Sequence, residues 1–192
     1  GRTPLGLYRE LVKRHEEGQI SFRNVAVFSL DEFYPIKSSE QQSRNYRIHE
    51  EFLNHIDILP ENIHIPDGTI AENKVSEYCA SYDQAAREID LMIIGVGEDG
   101  HIAFNEPFSS LDSRTRVKTL TEDTIIVNSR FFGGDVTKVP KLALTVGVGT
   151  VCSANEVMVL ALGHKKARAV QQCVEGALSH AWTITALQTH AK

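Results

Sequence analysis

Cysteine is scarce and irregularly spaced. The chain of 192 residues holds three, Cys79, Cys152 and Cys173. An odd number with no CxxC pair and no Cys/His zinc spacing argues against a disulfide framework or a zinc module. It fits free, mostly buried thiols in a reducing compartment, the cytoplasm. Long apolar runs are also missing: none approaches the roughly 20 residues of a membrane-spanning helix, and no signal-peptide pattern opens the chain. Positive charge is not in excess. Twenty Lys and Arg against 25 Asp and Glu leave a formal charge of −5, which speaks against nucleic acid or an anionic membrane as a main partner. A few local cations still suffice to hold a phosphate. Internal repeats, low-complexity tracts and linkers are absent, so one domain over residues 1–192 is the economical expectation. With 42% hydrophobic and 23% charged residues, the chain can bury a sizeable core. Its ends read as cut: Gly1-Arg-Thr-Pro4 resembles the middle of a strand-loop-helix unit, and no polar tail follows Lys192. The expectation is a piece of a longer protein.

Apolar strand-like runs alternate with amphipathic helical ones. Thr3 suits a helix N-cap and Pro4 the first helical position. Leu5, Leu7, Tyr8, Leu11 and Val12 form a stripe, and Gly18 ends the helix. Strands are predicted at 24–30, 63–65, 89–96, 115–120, 142–146 and 156–162. Helices are predicted near 40–54, 71–88, 123–131 and 164–174; the tail from Thr183 to His190 is ambiguous. This order predicts an α/β fold with a doubly wound, mainly parallel sheet and helices on both faces. In such sheets ligands sit beyond the carboxyl ends of the strands. The loops there carry Asp31 and Glu32, Asp99 and His101, and Gly163 to Lys166, while Gly1 to Thr3 precede the first helix.

The stretch Gly95-Val-Gly-Glu-Asp-Gly-His-Ile-Ala-Phe-Asn-Glu106 is the richest in chemistry. Its glycines let the backbone turn sharply and approach a ligand. Asp99, His101 and Glu106 supply an imidazole with carboxylates to orient it, as proton transfer near neutral pH requires. The bland alternative is a structural histidine. Gly95-x-Gly97-x-x-Gly100 matches the dinucleotide pattern, yet Asn105-Glu-Pro107 interrupts where a helix should open, so a smaller ligand fits better. Asp31 or Glu32 at a strand tip is a candidate general base or a helix cap. Thr3 with the helix amides behind it, Arg130 and Lys166 suit a phosphate, although surface cations are usually just solvated. Arg114-Thr-Arg116-Val-Lys118 reads equally well as the exposed face of an edge strand.

Residues 97–107, Gly-Glu-Asp-Gly-His-Ile-Ala-Phe-Asn-Glu-Pro, together with Ser113-Arg-Thr-Arg-Val-Lys-Thr-Leu120, closely resemble the glucosamine-6-phosphate deaminase family. So do Asn128-Ser-Arg-Phe-Phe-Gly-Gly134, Ala143-Leu-Thr-Val-Gly-Val-Gly-Thr150 and Leu30-Asp-Glu-Phe33. The resemblance spans essentially the whole chain. It implies a Rossmann-like fold and a hydrolase that isomerises and deaminates glucosamine 6-phosphate to fructose 6-phosphate and ammonia, with no metal or organic cofactor. It further implies Asp31 as the base that moves a proton between C2 and C1. His101 is implied as the group that opens the sugar ring, with Asp99 and Glu106 as its carboxylate partners. Gly1, Arg2, Thr3, Arg130 and Lys166 fall on the phosphate-binding positions. Ser109, Arg116, Lys118 and Thr119 fall on positions that in some members bind an amino-sugar phosphate activator between subunits. A homo-oligomer in the intact protein is part of the same expectation.

The chain departs from the family pattern in places. Arg2 stands where the phosphate loop usually has a small residue. Glu98 adds a carboxylate beside Asp99. Phe33-Tyr-Pro-Ile36 replaces the more usual Tyr-Val-Gly-Leu run; this form resembles longer members that carry a second domain. Two other functions compete. A 6-phosphogluconolactonase shares the Asp-Gly-His core but not the continuation through Glu106. A non-catalytic sugar-phosphate sensor tends to lose the proton-transfer residues, which are kept here.

Overall fold

The computed structural model describes residues 3–191; the roles expected of Gly1 and Arg2 lie outside them. Short strands and helices alternate, as the apolar pattern predicts, in an α/β arrangement. In chain order they are α1 (Leu5–Glu16), β1 (Val27–Phe28), β2 (Asp31–Tyr34), α2 (Arg44–Glu51), β3 (Ile63–His64), α3 (Val75–Ala85), β4 (Leu91–Gly95), β5 (Arg116–Thr119), α4 (Glu122–Ser129), β6 (Leu142–Thr145), α5 (Val148–Val151), β7 (Glu156–Leu160) and α6 (Ala167–Glu175). The described chain forms two compact units, one of residues 71–118 and 144–191, the other of residues 3–70 and 119–143. No helix among the described residues is long and apolar enough to cross a membrane.

The first unit is built on β4 and β7, which pair in parallel with Ile94 opposite Val159 and Gly95 opposite Leu160. Met92 and Ile94 point into its core, at 4% and 1% exposure, and the pairing brings the chain out at Gly95, where the glycine-rich loop begins. A buried carboxylate braces this unit. Asp83 on α3 accepts from the Thr115 amide and hydroxyl, both at 2.9 Å, and from the Thr150 hydroxyl on α5. Burial by itself would raise its pKa, but these donors, helped by the Arg114 charge, outweigh it and hold the carboxyl below its ordinary value. The ambiguous tail is a seven-residue 3-10 segment, Thr183–Thr189. Gln188 fastens it by donating to the carbonyls of Gln172, Cys173 and Gly176 at the end of α6.

The second unit pairs β1 with β3 in parallel, Val27 with Ile63 and Phe28 with His64. Tyr8 of α1 stacks on Phe52 with ring centroids 4.8 Å apart, and Phe22 meets Phe52 edge-on at 5.5 Å. The stripe of α1 is therefore half-buried, and the helix buries no residue fully. Gly18, at φ +72°, lets the chain leave the helix.

Several boundaries differ from the sequence reading. The single strand expected at 24–30 is β1 alone, with β2 a separate strand that begins at Asp31. Its partner β3 has two residues between Pro60 and Pro66, and proline cannot donate to a ladder, so the pairing ends after the Ser29 amide reaches the His64 carbonyl. The expected cap at Thr3 shifts by one residue. Pro4 takes that position, with φ −82° and ψ −3° and no side-chain cap bond, and its carbonyl accepts from Tyr8. The helix expected from 40 starts at Arg44, because Ser43 is its cap and accepts from the Tyr46 amide. Short α5, after Gly147, was not expected at all. Instead of one broad sheet, each unit has its own parallel pair, β4-β7 in the first and β1-β3 in the second.

Asp83→Asn is expected to lower the unfolding free energy by about 1–3 kcal/mol at pH 7, since three donors lose an ionised acceptor. A carboxyl depressed in the fold contributes stability above its unfolded value of about 3.9 and loses it as pH falls through the lower folded value. Urea unfolding of both proteins should therefore show the gap at pH 7 and its closure in acid; a gap independent of pH would remove the charge from the account.

Candidate active site

In the first unit, the loop after β4 folds back on itself. The Gly97 amide donates to the His101 carbonyl at 2.8 Å, and the Gly100 amide to the Gly97 carbonyl at 3.1 Å. This closes a tight turn that places the Asp99 and His101 side chains over Gly97. Nδ1 of His101 lies 2.6 Å from Oδ1 of Asp99, which also accepts from the His101 amide at 3.2 Å. With Asp99 ionised, Nδ1 carries the hydrogen and Nε2 is the nitrogen left to exchange a proton. Burial alone would raise the Asp99 pKa, yet the His101 bond and charge prevail and the carboxyl lies below its ordinary value. A Cβ on Gly97 would collide with both the imidazole and the Asp99 carboxylate. The glycine is there for this pair, and the dinucleotide reading fails: no helix opens between Gly100 and β5.

The rest of the loop is held from below. Gly100, at φ +80°, lies where a side chain would run into Trp182. Its carbonyl accepts from the Ile184 amide at 3.0 Å. The Thr183 hydroxyl bridges to the carbonyl of Asn105 at 2.9 Å. Asn105, fully buried, donates to Ile102 and Val146 carbonyls at 3.0 and 2.8 Å and accepts from Arg116 at 2.9 Å. Ala103 and Phe108 take positive φ of 51° and 67°, unusual for residues with a Cβ. Glu106 is buried at 5% exposure at the far end of this turn. Trp182, Thr183 and Asn105 were not anticipated as supports. The buried β-branched run Thr183-Ile-Thr185 was the available signal.

In the second unit, the carboxylates of Asp31 and Glu32 separate cleanly. Glu32 braces the start of α2 beside its Ser43 cap. It is 1% exposed and accepts from the amides of Phe33, Arg44 and Asn45 at 2.8, 2.9 and 2.9 Å and from the Ser43 hydroxyl at 2.7 Å. Burial still raises its pKa despite these four bonds. Asp31 takes no part in bracing α2, and its Oδ1 accepts from Nε of Arg44 at 3.0 Å, a partner with no signal in the sequence. Arg130, at the end of α4, lies over the Phe131 ring at 4.9 Å, and the guanidinium of Arg44 lies over the same ring at 5.7 Å. The candidate base and a candidate phosphate ligand thus share one small neighbourhood.

Of the other expected phosphate ligands, Thr3 stands in the turn before α1. Lys166 closes the 3-10 turn His164–Lys166 after Gly163, and lines a shallow depression of about 550 Å³ with Ala161, Ala167 and Val170; Asp99 and His101 do not line it. Arg116 is half-buried and bound to Asn105, so its position on β5 is not the exposed edge-strand face that alternation suggested; burial lowers its pKa. Lys118 is half-buried and Thr119 exposed on the same strand. Ser109 is buried, and among the described residues its hydroxyl has no hydrogen-bond partner.

This geometry agrees with relationships across the whole chain. Residues 1–192 match the family described as glucosamine-6-phosphate isomerases/6-phosphogluconolactonase. A glucosamine-6-phosphate deaminase of Treponema denticola is 56% identical over all of this chain and 72% of its own length. One from Porphyromonas gingivalis is 54% identical over 99% of this chain and 73% of its length. A solved monomeric glucosamine-6-phosphate deaminase superposes with a TM-score of 0.95 at 36% identity, covering all of this chain and 80% of that one. A 6-phosphogluconolactonase from Thermotoga maritima shares the fold, with a TM-score of 0.71 at 23% identity over 95% of this chain and 76% of that one. The chain belongs to the glucosamine-6-phosphate isomerase/6-phosphogluconolactonase family, within its glucosamine-6-phosphate deaminase branch.

Proposed function

We propose that this chain carries the catalytic residues of a glucosamine-6-phosphate deaminase, working by acid–base catalysis on one domain that spans residues 1–192 of a doubly wound, Rossmann-like fold. The observation that carries the reading is the 2.6 Å Asp99–His101 bond laid over Gly97. An imidazole held by an ionised carboxylate has one defined nitrogen for proton exchange, as ring opening requires.

Ring opening comes first. Nε2 of His101 takes the proton of the C1 hydroxyl and delivers it to the ring oxygen; the C1–O bond of the ring breaks and an aldehyde forms. Only then is the C2 hydrogen acidic, because its electrons can delocalise into the carbonyl. Asp31 removes it while O1 gains a proton, giving an enolamine, and returns it to C1 while the nitrogen loses a proton, giving an imine at C2. Water adds at C2 and ammonia leaves. Arg130, Lys166 and Thr3 are assigned to the phosphate, which fixes the far end of the open chain and limits the conformations the reacting carbons sample. Ser109, Arg116 and Lys118 are proposed for regulation.

Ammonia and fructose 6-phosphate released together from glucosamine 6-phosphate, without hydrolysis of 6-phosphogluconolactone, test the reading directly. Lactone hydrolysis has no use for a C2 base, so the opposite pattern would reverse the assignment.

Asp31→Asn is expected to reduce C2 hydrogen exchange and turnover by about 10²–10⁴ while sugar-phosphate binding changes little; exchange at the wild-type rate would remove Asp31 from the base position. His101→Gln should slow a cyclic substrate about 10²-fold and an open-chain analogue far less. Equal slowing of the two would mark His101 as structural. Gly97→Ala places a methyl group against the imidazole, so kcat/KM should fall by a similar order in a protein whose thermal unfolding is little altered. Retained activity would show that the Asp99–His101 pair is dispensable.

A further inference from the structure

Arg44 has no part in the steps above, yet it touches the residue that performs the central one. Its Nε donates to Oδ1 of Asp31 at 3.0 Å, with the two side chains only 14% and 17% exposed. Among the described residues, Oδ2 of Asp31 takes no hydrogen bond. Contact through one nitrogen and one oxygen differs from the two-point fork that Arg and carboxylate usually form. It fixes the plane of the carboxyl while leaving a single oxygen to meet a substrate carbon.

Arg44 is itself held on several sides. Its amide donates to Glu32, so its Cα is anchored to the residue next to Asp31. Its guanidinium lies 4.8 Å from the centroid of Phe33 and 5.7 Å from that of Phe131. Its terminal nitrogen reaches Oδ1 of Asn128 at 3.5 Å. Exposed ion pairs are weak because both partners stay mobile and hydrated; here the rings and the anchored backbone remove that mobility.

We propose that Arg44 is a positioning residue for the C2-to-C1 proton transfer, acting through Asp31; this rests on the deaminase reading. The carboxylate takes the C2 proton on Oδ2 and must deliver that same proton to C1. A carboxyl free to rotate would turn the proton toward water and lose it. The bond at Oδ1 prevents the rotation. Once Asp31 is neutral, the fixed guanidinium charge has lost its counter-ion, which favours release of the proton to C1.

The test follows deuterium from glucosamine 6-phosphate labelled at C2 into C1 of the product, in the full-length protein, beside kcat and KM. Arg44→Gln is expected to lower kcat about 10–100-fold with KM within about threefold of the wild type, and to lower deuterium retention at C1 at least about twofold. Should the Gln variant fold poorly, Arg44→Lys serves. It keeps a charge over the two rings but lacks the planar Nε–H, and retention should again fall. Unchanged kcat, or a lower kcat with unchanged retention, overturns the proposal, the second by making Arg44 purely structural. A rise in KM alone overturns it by making Arg44 a substrate ligand, and a wild type that retains no label overturns it as well. A wild type that releases no ammonia removes the deaminase reading itself, whereas an active, label-retaining wild type isolates any failure to Arg44.

Discussion

An ionised carboxylate taken out of water must find donors to replace its hydration, or the fold carries a cost of several kcal/mol. At Glu32, 1% exposed, three backbone amides and one hydroxyl do this. Two of those amides, from Arg44 and Asn45, are the first of α2. They have no partner inside the helix and are polarised by its dipole, so a carboxylate suits them. One side chain thereby ties β2 to α2 and sets where the helix starts. The pKa of Glu32 is still raised by burial, so the anchor is stressed as well as bonded. Much of the second unit's chemistry follows from this anchor, because it fixes the backbone from which Arg44 reaches Asp31.

The first unit solves a different problem. Its loop must carry an imidazole and a carboxylate over its own backbone, which only a residue without a Cβ allows at Gly97. It must also hold two ordinary residues, Ala103 and Phe108, at positive φ. Such conformations typically cost about 1–3 kcal/mol each and persist only where surrounding contacts over-determine them. The contacts are on hand: Thr183 and Ile184 bond the carbonyls of Asn105 and Gly100, and the buried Asn105 amide ties the turn to Ile102 and Val146. Glycine supplies the room and buried polar side chains supply the rigidity. A histidine aimed in this way needs no rearrangement before it exchanges a proton.

The sequence made some of this plain and hid the rest for physical reasons. Alternation of apolar runs gave the order of strands and helices, since burial imposes period two or 3.6 on side chains. The Asp99–His101 pairing was readable because the two are separated by one residue in a glycine turn, and local geometry fixes local contacts. Arg44 was invisible: it is 13 residues from Asp31, and nothing in spacing reports a contact made by tertiary packing. The extent of β1 was misjudged because propensity says how a segment prefers to extend but not how long its partner is. The partner β3, between Pro60 and Pro66, decided it. The tail defeated periodicity for a related reason. A 3-10 segment buried through Thr183, Ile184, Thr185 and Ala186 shows neither strand nor α-helix spacing.

The neighbours Asp31 and Glu32 show how adjacency in a strand divides labour. Successive side chains point to opposite faces, so two identical charges one residue apart meet different surroundings. Glu32 turns toward amides that need an acceptor and is withdrawn from chemistry. Asp31 turns the other way and meets a guanidinium at one oxygen. Both end on the same residue, one at its backbone and one at its side chain. A shift of α2 therefore moves the Arg44 amide and its side chain together, and the proposed base keeps its partner only while the bonds from Glu32 to α2 are intact. Exchanging the two carboxylates in sequence would not exchange their roles: a longer side chain at 31 would displace the oxygen from Nε, and a shorter one at 32 would fall short of the α2 amides. The order Asp then Glu is fixed by reach, and the division between the structural carboxylate and the proposed base follows from one methylene group.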